Sequence, residues 1–144
     1  MISSRSNQIN LITDFILDTY SFASTVHQRD NSDDFYYFNG QYYELGAEGL
    51  IFDLISQNFP TVRSRSTIWA IIDKLQRFSV IDDFDNPRYT CYLNGVYDTE
   101  LHRFYPHSPR YYLTHQINQN YIHDNTSSSL MLNANRLAML NAID

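Results

Sequence analysis

The sequence holds a single cysteine, Cys91, which excludes an internal disulfide framework and a zinc centre built on thiolates. Its neighbours Tyr89, Thr90, Tyr92 and Leu93 suit a strand, so a buried inert thiol is expected. No glycine-rich Lys-Ser/Thr phosphate loop occurs, and ATP hydrolysis by this chain on its own account is not expected. No polymerase or primase set of acidic residues can be placed either. Apolar runs of membrane-spanning length are missing, and the start MISSRSNQIN lacks a basic region followed by an apolar stretch. A cytoplasmic protein with no membrane contact is the expectation. Positive charge is scarce: ten Lys plus Arg stand against sixteen Asp plus Glu, a net charge of −6. Duplex-binding domains usually carry a basic excess that replaces counterions on phosphates, so binding by the whole surface is disfavoured and only a local patch stays open. Lys74 is the only lysine, which leaves Arg, a planar and stackable donor, to supply such a patch.

Metal and nucleophile patterns are equally thin. Five histidines, at positions 27, 102, 107, 115 and 123, show no helical i, i+4 pair; His115 and His123 are eight apart, which is no metal-ligand pattern, and the histidines are read as structural. His107-Ser108 has no acid partner to complete a triad. Asp82, Asp83 and Asp85 cluster, but without the glycine and distal glutamate of a calcium loop. No metal, cofactor or catalytic residue is expected.

What is abundant is aromatic surface: twelve Tyr and nine Phe, within 43% hydrophobic and 18% charged residues. At 144 residues this describes one folded domain. Two uses of the tyrosines stay open, an aromatic core with tyrosine rims or a sticky face for a protein or for unpaired bases.

Along the chain, Ile9, Ile12, Phe15, Ile16 and Tyr20 make one stripe of an amphipathic helix over Asn7–Ala23, with Ser6 or Asn7 as cap. A polar loop ends in Arg29-Asp30-Asn31-Ser32-Asp33-Asp34. Phe35–Phe38 and Gln41–Tyr43 flank Asn39-Gly40, which predicts a hairpin with a type I′ turn. A second helix is predicted over Ala47–Asn58, stopped by Pro60. A third begins at a Thr61 or Ser64 cap and runs to about Phe78, with Ile68, Ile71, Ile72 and Leu75 inward. After the acidic turn, Tyr89–Leu93, Asn94-Gly95, Val96–Asp98 and Arg103–Tyr105 read as a meander with Tyr112-Leu113 nearby, and Pro106 and Pro109 stiffen a corner. From Asn125 a polar linker leads to a helix over Leu130–Ile143, which either closes over the sheet or offers a Leu/Met face to a partner.

Two ordered signatures, FILDTYSFASTV with DDFYYFNGQYYE and then YLNGVYDTELHRFYPHSPRYYLTHQINQNY, together resemble the region preceding the ATPase in phage, plasmid and poxvirus-type primase-helicases. The resemblance spans roughly Phe15 to Tyr121. It implies a primase-helicase N-terminal-like domain over 1–124, with 125–144 as linker and C-terminal helix. The chain ends at Asp144 without a helicase motor, so the resemblance implies a non-catalytic module: an adaptor between primase and motor, or a free-standing relative.

The expected fold is α+β, with two short aromatic hairpins or a small antiparallel sheet packed on three to four helices. The expected function is a DNA-replication accessory module of a mobile element or virus that docks on a replicative helicase or primase. Arg63, Arg65, Lys74 and Arg77 are the candidates for phosphates of single-stranded or forked DNA. Tyr36, Tyr37, Tyr42 and Tyr43 are the candidates for stacking on bases or packing on a partner. A decoy that inhibits replication machinery is a variant, a protein-interaction module without nucleic acid is the rival, and self-association stays open.

Overall fold

Ile12 and Ile16 on the first helix, Ile51 and Ile55 on the second and Ile71, Ile72 and Leu75 on the third recur at three- and four-residue steps, and all seven side chains are sealed into one core. The computed structural model describes residues 4–25 and 34–122. Helix α1 is Ser4–Thr19, α2 is Ala47–Asn58 and α3 is Arg65–Phe78. Ser64 caps α3, its Oγ accepting from the Thr67 amide at 3.3 Å. The bounds of α2 are those the sequence predicts, and α3 starts at the second of the two predicted caps.

Helix α1 stops earlier than its stripe suggests. Thr19 folds its hydroxyl back onto the Phe15 carbonyl at 2.8 Å, and the chain then enters a strand, β1, Phe22–Thr25. Phe22, Ala23 and Ser24 are all buried, because β1 lies inside a sheet of order β3-β2-β1-β4. Strands β2 (Tyr36–Phe38) and β3 (Tyr43–Leu45) form the expected hairpin. The two-residue β4 (Val80–Ile81), which no sequence pattern announces, runs parallel to β1 and forms the sheet's outer edge. The helices cover one face of this sheet, where Phe22, Phe35 and Tyr37 meet them.

The second sheet is an antiparallel meander, β5 (Tyr89–Tyr92), β6 (Gly95–Asp98) and β7 (Arg103–Tyr105). Its own smaller core holds Cys91, Val96, Tyr111 and Leu113. An α+β fold results, three helices on one sheet and a meander beside it. The predicted linker and helix over 125–144 lie outside the described residues.

Both Asn-Gly pairs turn the chain, but neither sits centrally in its turn. Phe38 pairs with Tyr43, and Asn39 is not among the positive-φ residues, so the type I′ turn does not form. Instead the Asn39 side chain accepts from the Gln41 and Tyr42 amides, both at 2.9 Å, and Gly40 takes the left-handed place at φ 104°. In the meander Tyr92 pairs with Gly95, so Leu93-Asn94 form the tip and Gly95 belongs to β6. This frees the Asn94 side chain to act as a short piece of strand: it accepts from the Tyr121 amide at 2.8 Å and donates to the Tyr121 carbonyl at 3.0 Å. The Tyr121 ring thereby stacks on Phe104 and Tyr97, at 4.9 and 5.0 Å between centroids.

Tyr43 joins the halves. Its amide donates to the Leu113 carbonyl at 2.7 Å, and its ring stacks on Tyr112 at 5.4 Å. Asp85, at φ 61°, adds a second tie by accepting from the Thr114 amide at 2.7 Å and from the Thr114 hydroxyl.

Candidate nucleic-acid and docking surfaces

The four basic candidates do not form one patch. Arg65 opens α3 and Arg77 lies near its end, about 18 Å away along the axis. Arg77 is engaged by Asp73 at 3.1 Å, an exposed i, i+4 pair that contributes little to stability. Lys74 turns toward α1, donates to the Asn10 side chain and lies 5.7 Å from the Phe78 ring centroid. Arg63 and Arg65 are exposed and have no carboxylate partner among the described residues. Arg5, which sequence reasoning does not select, joins them by donating to Thr67 Oγ1 at 3.3 Å and to Ser66 Oγ at 3.4 Å. The usable basic group is therefore Arg5, Arg63 and Arg65 at the positive end of the α3 dipole. Arg5 is separated from α3 by some sixty residues, and only tertiary structure brings it there.

The four tyrosines do not form one stacking platform either. Alternation along β2 puts Tyr36 and Tyr37 on opposite faces. Tyr36 packs on Phe84 at 4.6 Å, while Tyr37 joins the helical core. Burial first, then Asp34 and Asp85, pushes the Tyr36 hydroxyl above its ordinary pKa; for Tyr37 burial is followed by Glu44. Tyr43 is 2% exposed and its ring is enclosed by Phe38, Phe84 and Tyr112, so it has no face to give to a base. Tyr42 is half-buried against the meander core.

Cys91 is buried, and burial pushes its thiol above the ordinary range, as expected of an inert cysteine. Two of the histidines make structural bonds: the Nε2–H of His107 donates to the Tyr92 carbonyl at 2.8 Å, and His102 Nδ1 lies 3.2 Å from the Tyr97 hydroxyl. His115 stands exposed, 4.0 Å from Asp85. His27 and His123 lie outside the described residues. Among the described residues no group of three His, Cys, Asp or Glu side chains converges as metal ligands.

The strongest polar construction is one the sequence did not predict. Arg88 donates twice to the buried Asp98 carboxylate, at 3.0 and 2.8 Å, and its other arm reaches Glu100 at 3.3 Å. Asp98 also accepts from the Glu100 and Leu101 amides at 2.9 and 3.1 Å, which fixes the β6–β7 turn. The Asp-Thr-Glu run is an Asx-turn signal that the sequence does contain. The Arg88 bonds, aided by the two amides and opposed by burial, hold Asp98 at about 2 against an ordinary 3.8. A depressed folded-state pKa stabilises the fold above pH 3.8, and that stabilisation drains as pH falls toward 2. The urea midpoint is expected to fall through this window, with a shallower fall in Asp98→Asn; equal slopes would contradict the assignment.

Between the two halves lies a cleft of about 400 Å³ whose lining includes Leu17, Tyr20, Phe22, Phe78, Val80 and Arg110. At its rim Phe78 is 65% and Val80 46% exposed, beside the free edge of β4. Among the described residues no helix is long and apolar enough to cross a membrane.

A helix-covered sheet bolted to a tyrosine-faced meander defines an α+β module with basic and apolar surfaces in separate places. Residues 13–138 match the family model described as D5 N terminal like, and the chain belongs to that family, the N-terminal region of D5-type primase-helicases. It is the family that the two sequence signatures resemble. A comparison with curated proteins finds no match. The domain is thus a replication-associated primase-helicase N-terminal module.

Proposed function

We propose that the domain is a non-catalytic adaptor of DNA replication in a mobile element or virus, acting in the cytoplasm by docking on a helicase or primase and guiding single-stranded or forked DNA. The observation that carries the reading is the family match over residues 13–138. The contact with DNA is assigned to Arg63 and Arg65, with Arg5 beside them, because guanidinium groups without carboxylate partners are free to take phosphate oxygens. Arg77 takes a lesser part because Asp73 already pairs with it, and Lys74 because it lies about 13 Å along the axis from Arg65.

The test is strand binding followed by fluorescence anisotropy across a salt series. Binding should weaken steeply with salt, and Arg63→Ala/Arg65→Ala should lower the log–log slope by about 0.7 for each phosphate that is no longer neutralised. An unchanged slope would remove α3 from the DNA path.

The rival, a protein-interaction module without nucleic acid, is favoured by the net charge of −6 and by the exposed Phe78 and Val80 at the sheet edge. It predicts no strand binding even at low salt, together with a stable complex with a helicase.

A further inference from the structure

We propose that the cavity of about 250 Å³ beside the β6–β7 turn binds a phosphate group, that of a nucleotide or of a single DNA strand, with Arg110 as its principal donor. This site is separate from α3; as a strand site it rests on the DNA contact proposed above, and as a nucleotide site it stands without it. The cavity is lined by Arg88, Tyr89, Asp98, Leu101, Tyr105, Arg110 and Tyr111. It lies slightly below the usual range for drug-sized ligands and suits a small group or one nucleotide.

Arg110 is exposed, and no carboxylate pairs with it among the described residues. Its guanidinium lies 4.9 Å from the centroid of the Tyr111 ring, and Nη2 donates to the Tyr111 hydroxyl at 2.9 Å. One of five donors is thereby used to hold the group in place, and the others remain for a ligand. Because the Tyr111 oxygen accepts from Arg110, its own hydrogen is free to donate. The Tyr89 and Tyr105 hydroxyls in the same lining have no hydrogen-bond partner among the described residues. An oriented fork beside phenol hydroxyls that can each donate is suited to phosphate oxygens, which only accept.

The acids nearby do not fill that role. Asp98 is occupied by Arg88 and two amides, and Glu100 pairs with the other arm of Arg88. Arg103 sits opposite Asp98 in the register and shares its face of the meander with Tyr105, which adds an exposed cation at the edge. Two arginines and one carboxylate thus line the cavity, in a chain that is acidic as a whole. Leu101, 54% exposed, and the Tyr89 ring, 4.7 Å from Tyr111, supply apolar wall for a sugar or base.

Calorimetric titration of the full chain with inorganic phosphate, dTMP and a short oligo(dT) strand tests this. Binding of dTMP and strand alike identifies the free nucleotide as a sufficient source, and binding of the strand alone identifies the strand. In either case Arg110→Ala should weaken binding about tenfold, with Arg110→Lys intermediate. Tyr105→Phe, which removes one hydroxyl and keeps the ring, should weaken it about threefold and carries the test if Arg110→Ala loses its fold. The proposal is overturned if none of the three probes binds at low salt. It is also overturned if strand binding is lost in Arg63→Ala/Arg65→Ala but matches the native protein in Arg110→Ala and Tyr105→Phe, an outcome that leaves the α3 assignment standing.

Discussion

Gly95→Ala is expected to lower stability by about 2–4 kcal/mol, enough to reduce the midpoint of thermal unfolding by roughly 10 °C. A β-carbon at Gly95 would lie 2.5 Å from the Tyr105 carbonyl oxygen and 2.6 Å from the Phe104 ring, at a φ of 154°. The oxygen belongs to backbone paired in the sheet, and the Phe104 ring is held under Tyr121, so neither can yield without disturbing the meander. Gly49 is the control: it lies in α2, where a methyl group would meet nothing within 4 Å, and alanine there should be neutral or stabilising by about 1 kcal/mol. Thermal melts by circular dichroism would show the contrast. Equal midpoints for the two alanine variants would mean that the β6–β7 approach is not as tight as described.

Tyr43→Ala should cost about 3–5 kcal/mol, whereas Tyr43→Phe should change stability by less than about 1 kcal/mol. The ring is 2% exposed and touches Phe38, Phe84 and Tyr112, so its removal leaves a hole where the two halves meet. Its hydroxyl has no hydrogen-bond partner among the described residues, and burial first, then Tyr112, raises its pKa, so the oxygen adds little that phenylalanine lacks. Urea titration checks both variants. If Tyr43→Ala were as stable as the native protein yet lost strand binding, the base-stacking role expected from the sequence would be restored.

Helix α2 was legible to the residue because its apolar spacing is clean and Pro60 follows closely. The meander was legible because aromatic and β-branched residues alternate around turn formers. Strand β1 was not: Tyr20, Phe22 and Ala23 prolong a helical pattern, and a strand buried on both faces shows no alternation to correct it. Strand β4 is two residues long and exists only because β1 is beside it. The Asn-Gly pairs marked two turns, but tip position followed from strand register and from the Asn side chains, which bind amides in one hairpin and Tyr121 in the other.

The candidate surfaces were less legible than the fold, because charge in a sequence carries no partner. Arg77 counts as a free cation until Asp73 is found beside it, and Lys74, still charged, is turned toward Asn10 on α1. Arg5 and Arg110 gain their interest from neighbours distant in sequence or from a ring beneath the guanidinium. Tyr36 and Tyr37 look like one aromatic run, yet the pleat sends them to opposite faces.

The claim on which the functional account stands is that this module acts by docking on replication machinery. The direct measurement is sedimentation velocity of the purified chain mixed with the motor portion of a D5-type helicase. A complex sedimenting faster than either component is expected at micromolar concentration, with ATP turnover belonging to the motor alone. Two independently sedimenting species, together with no binding of a DNA strand at low salt, would contradict it.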